Sequence, residues 1–111
     1  MTLIRMLAAS ALLAGLAWPI SRAADDPKAF VSFVEDHTST CVARNGVQIL
    51  VRNTHPSRTL RVWLDRYHMG TGTGDRSRSE LKPGAAPEPL GCSRSATGPQ
   101  EWRLVRATFV D

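Results

Sequence analysis

The chain has 111 residues, of which 42% are hydrophobic, and a formal net charge of +4 at pH 7. This length accommodates one domain with a single modest core and excludes several independent domains. Nearly all of the basic residues are arginines scattered along the sequence, whereas nucleic-acid-binding proteins gather them on one face. We therefore expect one small domain that does not bind nucleic acid.

The N-terminal segment has the pattern of a secretory signal peptide. Arg5 supplies the positive charge, and residues 6–18 form an apolar run that is too short to span a bilayer comfortably. Pro19 ends this run, and Ser21 and Ala23 place small residues where a signal peptidase requires them. An uncleaved membrane anchor is the alternative interpretation of the same segment.

The expected cleavage site decides which part of the chain folds. We expect cleavage after Ala23, so that residues 1–23 are a signal peptide and residues 24–111 are a single β-sandwich domain without a membrane span. The expected location of this domain is the periplasm or the outside of the cell.

The first elements of the exported part are predicted to be strands. Residues 28–34 combine aromatic and β-branched residues, which favours a strand over a helical turn. Asn45-Gly46 lies between apolar-rich runs and is the preferred dipeptide of a two-residue turn, because both turn positions need positive φ. We therefore predict a hairpin whose arms are residues 41–44 and 47–53.

Residues 59–68 carry the clearest strand pattern, since apolar and polar residues alternate with a period of two. Leu60, Val62 and Leu64 are predicted to point into the core. The residues between them are predicted to form an outward stripe: Arg61, Trp63, Asp65 and Tyr67. Arginine and large aromatic residues are frequent at binding hot spots, so this stripe is a candidate partner-binding surface. The alternative is that Trp63 fills a second layer of the core.

The next segment is predicted to be mostly irregular. Residues 69–80 predict a loop, because glycines are followed there by charged residues, with a short strand over residues 79–82 as an alternative for its end. Residues 83–84 predict a proline–glycine turn. Pro87 and Pro89 lack backbone N–H donors, so residues 88–92 are predicted to be an edge strand or an extended crossing segment.

Cys41 and Cys92 are the only two cysteines of the chain. An oxidising compartment favours their pairing, and neither lies in a Cys-x-x-Cys motif or at metal-site spacing from a histidine. We predict a disulfide that holds a late strand to an early one at the edge of the sandwich. Closing a loop of this length stabilises the fold by about 4 kcal/mol in the chain-entropy model.

The C-terminal part predicts a turn-rich loop over residues 93–99 and a final strand over residues 101–110. Its alternation places two sets of residues on opposite faces: Trp102, Leu104 and Thr108 on one, and Val105, Ala107 and Phe109 on the other. About seven short strands with turn signals between them indicate an all-β antiparallel fold. An early-to-late disulfide with Trp63 between its cysteines is typical of a small immunoglobulin-like β-sandwich.

No chemistry-bearing constellation stands out in the sequence. His37, His55 and His68 match no compact metal motif, and no nucleophile–base pair emerges, so we predict a protein that is not an enzyme and has no cofactor and no metal. The predicted function is an exported, non-catalytic, protein-binding or accessory module of a bacterial-type cell envelope. Its predicted partner is another envelope or secreted protein. The alternative is a periplasmic inhibitor or a small-ligand- or metal-binding protein that uses residues 70–78.

Overall fold

The structure is a computed structural model and describes residues 26–111, so the predicted signal peptide lies outside the described residues. Seven strands and two short 3-10 helices make up the described part. The strands are β1 (Val31–Asp36), β2 (Gln48–Asn53), β3 (Leu60–His68), β4 (Thr71–Leu81), β5 (Glu88–Cys92), β6 (Arg94–Ser95) and β7 (Gly98–Phe109). The helices are Pro27–Phe30 before β1 and Thr40–Arg44 between β1 and β2.

The strands form two sheets in which every neighbouring pair is antiparallel. The three-stranded sheet has the order β1-β2-β5, and the four-stranded sheet has the order β4-β3-β7-β6. The chain therefore changes sheet three times, after β2, β4 and β5. The prediction of an all-β antiparallel fold with about seven strands is confirmed.

The core lies between the sheets and is built largely from one face of β3. Leu60, Val62 and Leu64 are all buried, as their alternation in the sequence predicts. Residues from three other strands complete the buried cluster: Val51, Leu81 and Ala107. Larger side chains pack around this cluster, among them Leu90, Trp102 and Phe109. Because each fully buried aliphatic side chain contributes roughly 1.5–3 kcal/mol, this small cluster is a major source of stability.

Two polar side chains fix the turn between β2 and β3. Asn53 is buried, and its side-chain amide donates to the carbonyl oxygens of Arg58 and Leu81 while its Oδ1 accepts from the His55 N–H. The His55 Nδ1 accepts hydrogen bonds from two turn N–H groups, and its ring packs edge-on against Phe30. A satisfied buried amide of this kind ties the turn to the end of β4 without an unpaired polar group.

Cys41 and Cys92 form the predicted disulfide, with an S–S distance of 2.01 Å and a Cα–Cα distance of 5.4 Å. Cys92 ends β5, which is an edge strand as its prolines predict. Cys41 is buried, but it lies in the second 3-10 helix rather than in an early strand. The bridge therefore holds the connection between β1 and β2 against the end of β5.

The predicted hairpin at Asn45-Gly46 is wrong. Asn45 does adopt the left-handed conformation, with φ 60°, but it caps the C-terminus of the second 3-10 helix. Its N–H donates to the carbonyl oxygens of Cys41 and Val42, while the Ser39 side chain caps the other end. The preference of Asn45 for a left-handed backbone conformation was identified correctly. The helix caps and the disulfide determine that this conformation ends a 3-10 helix and does not form a hairpin turn.

The predicted loop over residues 69–80 is also wrong, because β4 is an eleven-residue strand paired with β3. Met69 and Gly70 form the connecting turn, with φ values of 53° and 83°, as a two-residue hairpin requires. β4 is an edge strand that is exposed over most of its length, so it lacks the alternation of apolar and polar residues. Several of its charged side chains instead form ion pairs with side chains of β3.

A β-bulge in β7 overturns part of the face assignment of the last strand. Leu64 pairs with Leu104, whereas Trp63 pairs with Arg106, so Val105 is an extra residue. The inward-facing set is consequently Trp102, Leu104, Ala107 and Phe109. The predicted loop over residues 93–99 contains β6 and the start of β7.

Candidate protein-binding face

The structure places the predicted stripe on the outer face of the four-stranded sheet. Arg61, Trp63, Asp65 and Tyr67 are all partly exposed and alternate with the buried residues of β3. Pairing with β4 and β7 brings further charged residues beside them. We call the whole set the Arg–aromatic face, which comprises Arg61, Trp63, Asp65, Tyr67, Arg76, Arg78, Glu80, Glu101, Arg103 and Arg106.

Trp63 lies at the centre of this face between two arginines. Arg78 of β4 and Arg106 of β7 are its direct cross-strand neighbours. The Arg106 guanidinium lies 4.7 Å from the centroid of the indole ring, in a cation–π contact. Without the bulge, Val105 would pair with Trp63, so the extra residue in β7 is what brings Arg106 to the ring.

The remaining charges on the face are neutralised within the sheet. Asp65 accepts two hydrogen bonds from Arg76, at 2.6 and 2.9 Å, and Arg61 pairs with Glu80. The hydrogen bonds from Arg76 lower the pKa of the Asp65 carboxyl below its ordinary value. These cross-strand pairs set the register of β4 along β3.

A second cation–π pair lies at the other end of the stripe. The Arg103 guanidinium lies 3.8 Å from the centroid of the Tyr67 ring and donates to Glu101 at 2.8 Å. The hydrogen bond to Glu101 raises the pKa of Arg103. Arg103 therefore lies over an aromatic ring with its charge already balanced.

Arg78 and Arg106 differ from the other arginines of the face. Both are exposed, and neither forms an ion pair or a hydrogen bond through its side chain with any residue from 26 to 111. Five arginines and three carboxylates make up the charged part of the face, so the excess positive charge is concentrated beside Trp63. This arrangement provides two free guanidinium groups on either side of one indole ring.

An open groove of about 500 Å³ lies between the two sheets, next to the face. β4 forms one wall over residues 74–77, and Leu90 of β5 lies in the other wall. Leu64 and Trp102 contribute apolar surface at its base. Trp102 comes so close to β5 that a Cβ atom on Gly91 would lie 2.8 Å from its ring, so only glycine fits there.

Polar groups at the mouth of the groove are paired internally. Arg66 donates to Asp75 at 2.8 Å and to the Gln100 side chain at 3.0 Å. These partners satisfy the charge of Arg66, and Leu90 and Trp102 remain partly exposed in the groove. Residues 70–78, the predicted ligand-binding loop of the alternative hypothesis, are part of β4 and its turn.

The described residues contain no group of three or more histidine, cysteine, aspartate or glutamate side chains that could hold a metal ion. The His68 Nε2 lies 3.2 Å from the Ser95 hydroxyl and 3.0 Å from the Thr97 hydroxyl. The His37 Nε2 lies 3.4 Å from a Glu35 carboxylate oxygen. No helix within residues 26–111 is long and apolar enough to cross a membrane.

Comparisons of the chain with protein-family models, with curated proteins and with solved structures found no match. Function must therefore be argued from the side chains themselves. Sequence reasoning identified the β3 part of the face but missed its contributions from β4 and β7, above all Arg78 and Arg106. The alternating charges after Gly74 were the one local signal that residues 76–80 form a strand.

Proposed function

We propose that the protein is an exported, non-catalytic domain that binds another envelope or secreted protein through the Arg–aromatic face. The observation that carries this proposal is Trp63 between Arg78 and Arg106, two arginines without a partner in the described residues. Tryptophan and arginine dominate binding hot spots, where they combine a large apolar area with directional donors.

The chemistry of this cluster favours carboxylate groups on the partner. A guanidinium that stacks on an aromatic ring keeps its N–H groups free in its own plane, where a carboxylate accepts two of them at once. The guanidinium carbon of Arg106 lies over the Trp63 ring, and its N–H groups have no acceptor among residues 26–111. The proposed partner surface therefore carries acidic side chains beside an apolar group that covers the indole.

The distribution of charge favours a protein partner over a polyanion. Asp65, Glu80 and Glu101 are interspersed with the arginines of the face. A nucleic acid or another continuous polyanion would meet these carboxylates and be repelled, whereas a protein can place single acidic residues opposite Arg78 and Arg106.

Export and an immunoglobulin-like architecture are part of the same proposal. A disulfide between the only two cysteines fits an oxidising compartment, and the N-terminal pattern provides a route to it. The neighbour order β1-β2-β5 and β4-β3-β7 corresponds to strands A-B-E and C′-C-F of an immunoglobulin-like sandwich. In this assignment no strand among residues 26–111 corresponds to D or G, and the disulfide differs from the usual bridge between B and F.

Protein capture with matched variants tests the proposal. Purified wild-type protein is immobilised and exposed to envelope extract, and the captured partner is recovered. The affinity of this partner is then measured for the wild type and for three variants of the domain: Trp63→Ala, the double variant Arg78→Glu/Arg106→Glu, and Arg52→Glu. Arg52 is exposed on β2 in the other sheet and serves as the control for charge. We expect both face variants to bind at least tenfold more weakly and the control to bind as the wild type does.

Circular dichroism and thermal unfolding check that each variant is folded. If the partner binds Trp63→Ala and the double variant with unchanged affinity, the face is not the binding site. If the extract contains no protein that binds with micromolar or better affinity, the assignment as an envelope binding module is wrong.

A further inference from the structure

The groove beside the Arg–aromatic face has an unpaired strand edge along one wall. β4 pairs with β3 on one side only, and no described strand occupies its other side. Unpaired strand edges are templates for an additional strand, because their N–H and C=O groups lack partners in the sheet. The groove opens along this edge at residues 74–77.

The two sheets diverge where the groove begins. The Ser79 hydroxyl donates to Glu88 at 2.5 Å, so β4 and β5 are in contact at the start of β5. Further along, Leu90 and residues 74–77 lie on opposite walls of the groove. A volume of about 500 Å³ lies within the range of protein pockets that hold ligands, so side chains of an added strand can enter.

We infer that the acidic partner binds by β-strand addition: an extended segment pairs with the free edge of β4 at residues 75–78 and inserts apolar side chains into the groove. This inference rests on the proposed function and specifies how the partner is bound. Side chains of an added strand alternate between its two faces. Inward residues therefore reach Leu90 and Trp102, which are partly exposed, and outward residues lie beside Arg78.

Charge complementarity defines the sequence of this segment. Arg78 is exposed on the outer side of β4 and has no ion pair in the described residues, so carboxylates on the outward side of an added strand are favourable cross-strand neighbours. The segment should alternate apolar and acidic residues. The edge of β5 is less suitable, because Pro89 has no N–H to donate.

A second copy of the chain is a poor occupant of the same edge. Its own β4 would place Arg76 and Arg78 beside the same residues, and like charges on neighbouring strands are destabilising. On its inward side it would offer the Ser77 hydroxyl to Leu90 and Trp102. The chemistry of the site therefore favours a different polypeptide.

Synthetic peptides test the inference with the exported protein. The parent probe is a heptapeptide that alternates leucine and glutamate. The first control is a pair of peptides with N-methyl groups on every second backbone nitrogen: one phase is methylated at the odd positions and the other phase at the even positions. A second control replaces leucine by serine. Strand addition predicts that the parent binds at least tenfold more tightly than the serine peptide and than one methylated phase, and that it slows amide hydrogen exchange within residues 75–78.

The protein variants separate this inference from the proposed function. If both methylated phases bind as tightly as the parent and Arg78→Glu still weakens binding tenfold, recognition uses side chains only and strand addition is wrong. If the parent peptide does not bind, the inferred segment chemistry is wrong, and capture of a partner that depends on Trp63 would leave the proposed function intact. Concentration-dependent dimerisation that blocks exchange in β4 would identify a second copy as the occupant.

Discussion

The two faces of the four-stranded sheet differ in almost every respect, although β3 contributes alternate residues to both. Leu60, Val62 and Leu64 are at most 1% exposed and form the centre of the core. On the other face, Trp63 and its neighbours are partly exposed and contact mainly arginine side chains. In the proposed function, stability depends on the inner face and recognition on the outer one, so that neighbouring residues of one strand serve different purposes.

The largest expected loss of stability comes from removing the disulfide. This variant tests whether the bridge, in addition to the core, holds the two sheets together. The double variant Cys41→Ala/Cys92→Ala should lose about 4 kcal/mol of unfolding free energy, because the unfolded chain regains the entropy of a loop that spans 51 residues. Urea unfolding of the wild-type and variant proteins measures this loss. A loss below about 1 kcal/mol would contradict the prediction.

Adjacent substitutions in β3 sharpen the comparison between the two faces. Leu64→Ala should lower the unfolding free energy by about 3 kcal/mol, since it leaves a cavity in the core. Trp63→Ala should cost about 1 kcal/mol, mainly through the lost contact with Arg106. If thermal or urea unfolding shows the same loss of unfolding free energy for both variants, Trp63 is a core residue and the two faces do not have different roles.

The smallest expected effect concerns the pH dependence of the outer face. The pKa of Asp65 is lowered by its hydrogen bonds from Arg76, so the folded state binds this proton less readily than the unfolded state. The resulting stabilisation is fully present above the ordinary pKa of 3.8 and is lost as the pH falls through the lower pKa of the folded state.

Asp65→Asn isolates this contribution. The difference in melting temperature between the wild type and the variant should be constant from pH 7 to about pH 5 and should shrink below about pH 4. Both side chains of the pair are partly exposed, so the difference should also decrease with added salt. A difference that grows on acidification would show that the sign of the pKa shift is wrong.

Sequence alone identified β3 because a half-buried central strand has a period of two. It failed for β4, whose residues are exposed almost from end to end and whose charged side chains form cross-strand pairs with β3 such as Asp65–Arg76. Such pairs cannot be identified from the sequence until the register between β3 and β4 is known. The conformation of Asn45 was likewise recognisable locally, but the choice between a turn and a helix cap depended on residues outside the dipeptide.

The candidate site was likewise predictable only in part. The stripe on β3 follows from alternation, whereas Arg106 reaches Trp63 only because a bulge inserts Val105 into β7. A bulge shifts every later residue to the other face, and no simple pattern in the sequence announces it. Arg78 was assigned to a loop together with most of β4.

The single bridge between Cys41 and Cys92 has a consequence for how the protein is made. A chain with two cysteines has one possible intramolecular connectivity, so a monomer cannot become trapped with mismatched sulfurs. Forming this bridge requires an oxidant that accepts two electrons, and a monomer offers no wrong pairing for a disulfide isomerase to correct. Wrong disulfides between protein chains therefore join separate molecules, and dilution suppresses those between two copies of this chain.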